Sequence, residues 1–301
     1  MNKIIEEGQG VQNILDSARD LLLKLEERDV SYNGGVDGKD NTLETRAKYL
    51  EVLNQLRSIK AIGEKVRDKL RLGSGSILLD VGSGIGSDVE DIDLLMGETG
   101  TLICLDKDEN LLNLSKEFHK SANIDIKYLN QDALNMGLKD NSVDAARAVR
   151  TLQHISKPKS VIEEMIRVTR PEGSIVVCDP DWTSFGIKGL AKKDTETVLE
   201  AFNRQSLVPY PQTGKHLASL VAKSGIKNVK EEIVEVEMQN FDRMDLLIGL
   251  NREVPKMVND KILNGQDAND FFHRVHEAFE QGGASASINY HIVSGVAPSN
   301  C

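Results

Sequence analysis

The stretch Leu78-Leu79-Asp80-Val81-Gly82-Ser83-Gly84-Ile85-Gly86-Ser87-Asp88 decides the fold. An apolar run, Ile77 to Leu79, ends in an acid and passes into a tight glycine loop. Behind the loop Val89, Ile92, Leu95 and Met96 recur at helical spacing, and Gly97 suits a helix stop. The pattern is strand, glycine loop, helix. Glycines there let backbone N–H groups approach a ligand where a Cβ would obstruct it. A dinucleotide site wants G-x-G-x-x-G, with the pyrophosphate over the helix N-terminus. Gly82 and Gly84 fill the first two positions, but Ser87 stands at the third and the remaining glycine is Gly86. Asp80 at the strand end would repel a pyrophosphate and suits a ligand carrying a cation. Taken alone, the loop also fits an ordinary tight turn between strand and helix.

Downstream the alternation continues. Thr101 to Leu105 reads as a buried strand ending at Asp106, followed by a helix with Asp108 as N-cap and Leu111, Leu114 and Phe118 on one face. Ile126 to Leu129 is a third strand leading to Gln131-Asp132-Ala133, and the turn Lys139-Asp140-Asn141-Ser142 introduces a fourth, Val143 to Val149. Pro158 stands where a helix can begin, with Ile162, Met165 and Ile166 inward. Pro171-Glu172-Gly173 then turns into a fifth strand, Ser174 to Cys178. Such alternation implies a parallel sheet flanked by helices. In the last third, Asp194 is placed to cap a helix from Thr195 to Phe202, and His216 to Lys223 reads as another. Residues 241–281 look helical, with breaks at Pro255 and Gly265. Val229 to Met238 and Ser287 to Val296 alternate as strands and suit an antiparallel edge pair.

Upstream of the loop, Val11, Ile14, Leu15, Ala18, Leu21, Leu22 and Leu25 mark one helix face within residues 1–29, ended by Ser31-Tyr32-Asn33-Gly34-Gly35. Thr42 can cap a second helix whose stripe of Leu50, Leu53, Leu56, Ile59 and Val66 runs to Leu70. Two roles fit these helices: plain core packing, or a lid over a small-molecule pocket.

The 301 residues suffice for one large domain or two small ones. A formal net charge of −10, from 37 basic and 47 acidic residues, argues against nucleic acid or an anionic membrane as partner. Cys104, Cys178 and Cys301 are scattered, and the first two sit in apolar runs, as small core residues do. Without a cleavable signal pattern or an apolar stretch near ~20 residues, the expected location is the cytoplasm. No metal site is expected, since His273 and His276 on a helix lack further ligands at tight spacing.

In open α/β sheets a ligand lies across the carboxyl ends of the strands. Asp106 ends the second strand, and a carboxylate there can accept both hydroxyls of a ribose. Asp132, after the third, can accept from an adenine amino group while the Ala133 N–H donates to the ring. Each acid has an alternative as a turn or cap residue. Arg147 and Arg150 can pair with a ligand carboxylate, or with Asp144 and neighbouring acids.

Asp80 to Gly86, Asp106, Asp132-Ala133, Asn141-Ser142-Val143-Asp144, Leu152-Gln153-His154 and Glu164 to Gly173 resemble the successive motifs of the class I, Rossmann-like S-adenosylmethionine-dependent methyltransferases. The chain is most similar to the group containing ubiquinone/menaquinone-biosynthesis and natural-product enzymes. The resemblance covers about residues 70–180. It implies an α/β fold: a seven-stranded, mostly parallel sheet with helices on both faces, an antiparallel last strand and extra helices as a lid. Residues 1–70 would form that lid, and 71–301 the cofactor-binding domain with a helical insertion at about 240–286. S-adenosylmethionine is the implied cofactor, held by Asp80, Gly82, Ser83, Gly84, Gly86, Asp106, Lys107, Asp132 and Ala133. Ala148, Val149 and Arg150 would lie near its methionine end.

The implied reaction is in-line methyl transfer to O, N or C of a small-molecule acceptor. His154 is placed to act as base if that acceptor is a phenol or amine; its alternative is a structural hydrogen bond at a helix start. Asp179, Asp181 and Trp182 are expected along the cleft. The element Asp179-Pro180-Asp181-Trp182 does not reproduce the Asn-Pro-Pro-Tyr of nucleic-acid amine methylases. A non-catalytic S-adenosylmethionine-binding scaffold is the competing reading, and an NAD-dependent oxidoreductase is opposed by the glycine spacing. A homodimer is left open.

Overall fold

The computed structural model describes residues 43–204 and 208–299. The expected first helix, the Ser31–Gly35 break, the Thr42 cap and Cys301 lie outside the described residues. Helices α1 (Leu43–Gln55) and α2 (Arg57–Lys69) lead into β1 (Ile77–Val81), α3 (Val89–Met96), β2 (Thr101–Asp106), α4 (Glu109–Phe118), β3 (Asp125–Asn130) and β4 (Val143–Val149). There follow α5 (Pro158–Val168), β5 (Thr169–Lys188), α6 (Lys192–Arg204), α7 (Thr213–Lys223) and β6 (Lys227–Met238). The chain closes with α8 (Phe241–Ile248), α9 (Leu250–Asn259), α10 (Gly265–Glu280) and β7 (Ser285–Val296).

Seven strands form one sheet in the order β3-β2-β1-β4-β5-β7-β6. Strands β1 to β5 pair in parallel, while β7 runs antiparallel to both β5 and β6, as the resemblance implied. Chain order reverses between β1 and β4, which opens a crevice at their carboxyl ends. Successive strand residues face opposite layers. Leu78, Cys104, Ala145 and Val176 join the core beneath α1, α2, α3 and the helices after β6. Leu79, Ile103, Ala146 and Val177 join a second core beneath α5 and α7. Among the described residues, the free thiols of Cys104 and Cys178 are buried. Among the described residues no helix is long and apolar enough to cross a membrane, and no group of metal-ligating side chains is assembled.

Local signals hold at several positions. The Asp108 side chain accepts from the N–H groups of Asn110 and Leu111 at the start of α4, Pro158 opens α5, and Gly97 ends α3 at φ 65°. Others move. Leu95, expected on the inner face of α3, is 43% exposed, since Val89, Ile92 and Met96 alone cover the core. Asp194 lies inside α6, not at its cap, where its buried carboxylate takes a bidentate pair from Arg274 of α10 at 2.9 and 2.6 Å. β5 does not stop at Cys178 but continues to Lys188, because β7 is long enough to pair with it beyond a register shift between Asp181 and Gly186. Between β6 and β7 the helices break at Gly249, which takes φ 67°, and, as expected, at Gly265, where α10 begins. Pro255 is carried inside α9, where burial of Leu250, Val254 and Met257 offsets the one backbone bond it cannot make.

Candidate functional site

The glycine loop folds back from β1 onto the end of β2. Gly82 and Ser83 donate their N–H groups to Leu105 O at 2.7 and 3.1 Å, and Gly84 N donates to Asp106 Oδ2 at 2.9 Å. Gly82 takes φ 70°, and a Cβ there would overlap Thr151 Cγ2 and stand 2.5 Å from its Oγ1. Thr151 Oγ1 lies within hydrogen-bond reach of Val81 O and Val149 O, at 3.1 and 3.0 Å, so it bridges the ends of β1 and β4 across the crevice. The Asp106 carboxylate accepts Gly84 N–H on one oxygen and Asp108 N–H on the other. Each oxygen keeps a lone pair for a further donor.

Beneath the loop lies a buried ion network. Asp80 and Arg147 are register neighbours on β1 and β4. Arg147 donates Nη2 to Asp80 and Nη1 to Asp88, each at 2.7 Å, and Arg67 of α2 reaches Asp88 and Asp91 at 3.2 and 3.0 Å. Burial pushes the Asp80 carboxyl up against the opposing charge of Arg147. Burial also acts on Asp88, but Arg147 and Arg67 outweigh it and hold that carboxyl below its ordinary range. Of the partners open to Arg147 in the sequence, Asp144 is excluded: it accepts Ile77 N–H and pairs with Arg170.

Arg150 closes β4 in the left-handed region at φ 55°, a conformation rare outside glycine. Its backbone N–H donates to Cys178 O, while Nη2 donates to Asn54 of α1, which in turn donates to Ser87 Oγ of the loop. A short 3-10 turn, Leu152–His154, follows. Gln153 is buried there; its Oε1 accepts from Trp182 Nε1 at 2.6 Å and its Nε2 donates to Arg150 O at 3.2 Å. His154 is exposed at the end of the turn. Its surroundings push its pKa down, first by desolvation and then by the charges of Lys107 and Arg150.

Asp179, fully buried on β5, accepts the N–H groups of Leu152 and Gln153, and burial raises its carboxyl to about 8. The folded chain therefore keeps this proton to about pH 8, whereas the unfolded chain releases it in the ordinary carboxylate range. A group raised in this way favours folding at low pH and penalises it as pH climbs towards the folded value. Stability should fall by up to ~1.4 kcal/mol per pH unit in that window through this group alone. Asp179→Asn has no proton to lose and should flatten the dependence. Urea unfolding midpoints from pH 5 to 8 check this, and an unchanged slope in the variant would refute it.

One cavity of about 420 Å³ gathers these pieces. Its wall carries Asp80, Gly82, Ser83, Gly84, Val149 and Arg150, and His154 stands beside them. Gly86, Asp106, Lys107, Asp132, Ala133 and Ala148 are outside that lining. Asp106 lies one hydrogen bond away through Gly84. Asp132 is exposed and accepts Leu134 N–H, Lys107 is exposed, and Ala148 is a core residue. Trp182 lines the cavity, whereas Asp181 is occupied by Thr183 and Asp179 by the 3-10 turn. Residues not anticipated complete the wall: Tyr49 and Asn54 from α1, Arg252 from α9 and Tyr290 from β7. The left-handed residue at Arg150 has no sequence signal, since arginine carries no preference for that region. The glycine at 249, beside Arg252, was the one visible hint.

Residues 79–177, from β1 into β5, match the family model described as a methyltransferase domain. A demethylmenaquinone methyltransferase of Desulfitobacterium hafniense is 30% identical over 147 residues, which cover 46% of this chain and 57% of that one. An uncharacterised 37.1 kDa protein of Streptomyces fradiae is 24% identical over 225 residues, covering 73% and 63%. The chain thus spans less than two thirds of the length of these curated relatives. A solved protein of Bacillus halodurans shares the fold, with a TM-score of 0.56 at 16% identity, covering 78% of this chain and 98% of that one.

Proposed function

We propose that this chain, which carries a class I, Rossmann-like S-adenosylmethionine-dependent methyltransferase domain of the ubiquinone/menaquinone-biosynthesis type, transfers a methyl group to a small-molecule acceptor. The observation that carries the reading is a single cavity that runs from the glycine loop to an apolar chamber walled by α1, α2 and the residues around Gly249. The fit to the cofactor rests on this chain's own groups. Arg150 Nε is buried without a protein partner, and Gly84 leaves open space where a side chain would stand, its nearest neighbour a Leu50 methyl at 3.8 Å.

S-adenosylmethionine, when bound, supplies a methyl group already activated by its sulfonium. Gly82, Ser83 and Gly84 would hold it by backbone and hydroxyl, Asp106 would take the ribose hydroxyls, and Asp132 with Ala133 would meet the adenine. Arg150 and the adjoining end of β4 would lie near the methionine end. Helices α1 and α2 serve as a roof, and Leu50, Leu53, Ile59 and Ile62 exclude water beneath it. Alignment of two reactants in such a site can supply ~7–11 kcal/mol of a displacement barrier.

His154, at the cavity wall, can accept a proton from an acceptor hydroxyl or amine. His154→Ala is expected to lower turnover by about 10²–10⁴-fold while calorimetry shows S-adenosylhomocysteine affinity unchanged. Equal loss of both would make the residue structural. The reading itself is tested by titrating the purified chain with S-adenosylhomocysteine and by mass spectrometry of small molecules incubated with methyl-labelled S-adenosylmethionine. Stoichiometric binding and a labelled product are expected; no binding would end it.

A further inference from the structure

One cationic side chain on the cavity wall keeps a buried donor without a protein partner. Arg252, on α9, lines the cavity beside Gly249. Its Nε donates to Glu253 Oε1 at 2.9 Å, and Lys256 Nζ donates to that same oxygen at 2.9 Å. One buried carboxylate is therefore shared by two cations. Arg252 Nη2 is buried and has no protein partner. Its guanidinium is held against the backbone of Gly249, where a Cβ would stand 2.6 Å from Nη2. The other acids on the wall are already engaged: Asp80 and Asp88 by Arg147 and Arg67, and Asp245 by the N–H and Nδ2 of Asn251. The cavity wall also carries Leu246, Leu247, Trp182, Tyr290 and Tyr49.

We propose that Arg252 anchors an acceptor that is an apolar molecule bearing one carboxylate. The inference rests on the methyl-transfer reading for the word acceptor, but the anion site stands on its own residues. A buried donor without a partner costs ~1–3 kcal/mol, more for a charged group, and an anion that reaches it removes that cost. A guanidinium fork matches a carboxylate in shape. Leu246, Leu247, Trp182 and Tyr290 on the wall suit an apolar remainder of the ligand.

Trp182 is the single tryptophan of the chain and lies on the cavity wall, so its fluorescence reports what enters. The probes are 4-phenylbutyrate and its uncharged amide, 4-phenylbutanamide, each titrated with S-adenosylhomocysteine at saturation. The acid is expected to bind about tenfold or more tightly than the amide, the worth of one hydrogen bond to a charged group. In Arg252→Gln that ratio should fall to near one, with S-adenosylhomocysteine affinity kept; Arg252→Lys should retain part of the preference, which guards against a misfolded variant. Equal binding of acid and amide, no response of Trp182 to either, or a preference that survives in Arg252→Gln would each overturn the proposal. So would loss of S-adenosylhomocysteine affinity in Arg252→Gln, which would assign the guanidinium to the cofactor's own carboxylate. If the wild-type chain fails to bind S-adenosylhomocysteine, methyl transfer falls, and the acid-to-amide ratio measured without it decides the anion site alone.

Discussion

Gly82→Ala is expected to remove measurable S-adenosylhomocysteine binding and to lower the unfolding free energy by ~2–5 kcal/mol. Two costs combine. The left-handed conformation at φ 70° penalises any Cβ by ~1–2 kcal/mol. The added methyl also collides with Thr151 Cγ2 and Oγ1, and overpacking of this kind costs ~1–3 kcal/mol. Thr151 cannot withdraw freely, since its hydroxyl reaches the carbonyls of Val81 and Val149 at the two strand ends that frame the crevice. Gly84→Ala provides the comparison. It shares a positive φ of 54° but has open space around it, so it should pay only the conformational part. Urea unfolding and calorimetry separate the two variants. Near-equal losses would refute the role given to Thr151, and cofactor affinity within threefold of wild type in Gly82→Ala would refute the role given to the loop.

Arg147→Gln is expected to cost ~3–5 kcal/mol, the usual penalty for stripping one partner from a buried ion pair. Asp88 keeps Arg67, but Asp80 is left buried with its counter-charge gone. Burial already raises the Asp80 carboxyl, and loss of Arg147 removes the main force opposing that rise. The folded variant then holds a proton that the unfolded chain releases, so its stability is best at low pH and declines as pH rises. The deficit relative to wild type should therefore be smaller at pH 5 than at pH 8. Asp80→Asn combined with Arg147→Gln should recover part of the loss, a coupling that a double-mutant cycle measures. A deficit independent of pH would mean that Asp80 does not carry the penalty.

The alternation of strands and helices along the chain, the glycine turn, the end of β2 at Asp106 and the Asp108 cap were legible because each depends on near neighbours in the chain. A buried parallel strand is a short apolar run, and a cap is a residue type at a fixed offset. Arg147 shows where that reach ends. The sequence left it between a ligand and several acids, and only the β1–β4 register, which sets it beside Asp80, chooses. Tyr49, Asn54 and Arg252 were missed for a related reason. Their helices are amphipathic, and an amphipathic pattern tells which face turns inward without telling which polar residue at its border meets a cavity. Asn54 reaches the glycine loop only because α1 packs above it, where Asn54 accepts from Arg150 and donates to Ser87. Pro255 misled because its missing N–H is a local fact, while its tolerance inside α9 comes from tertiary burial.

The position of β6 at the rim of the sheet also bears on solubility and assembly. An unpaired strand edge invites another chain to extend it, and charged side chains are a common deterrent. Here Lys227, Lys230, Glu231, Glu232, Glu235 and Glu237 are strung along that rim, and Lys65 and Lys69 clasp Glu232 from α2. Only Ile233, 55% exposed, offers a greasy foothold. Another chain pairing onto this edge would have to bury those charges, so continuous sheets built across molecules are disfavoured at neutral pH. Acid strong enough to discharge the glutamates would leave Lys227, Lys230, Lys65 and Lys69 charged, so the guard persists at low pH.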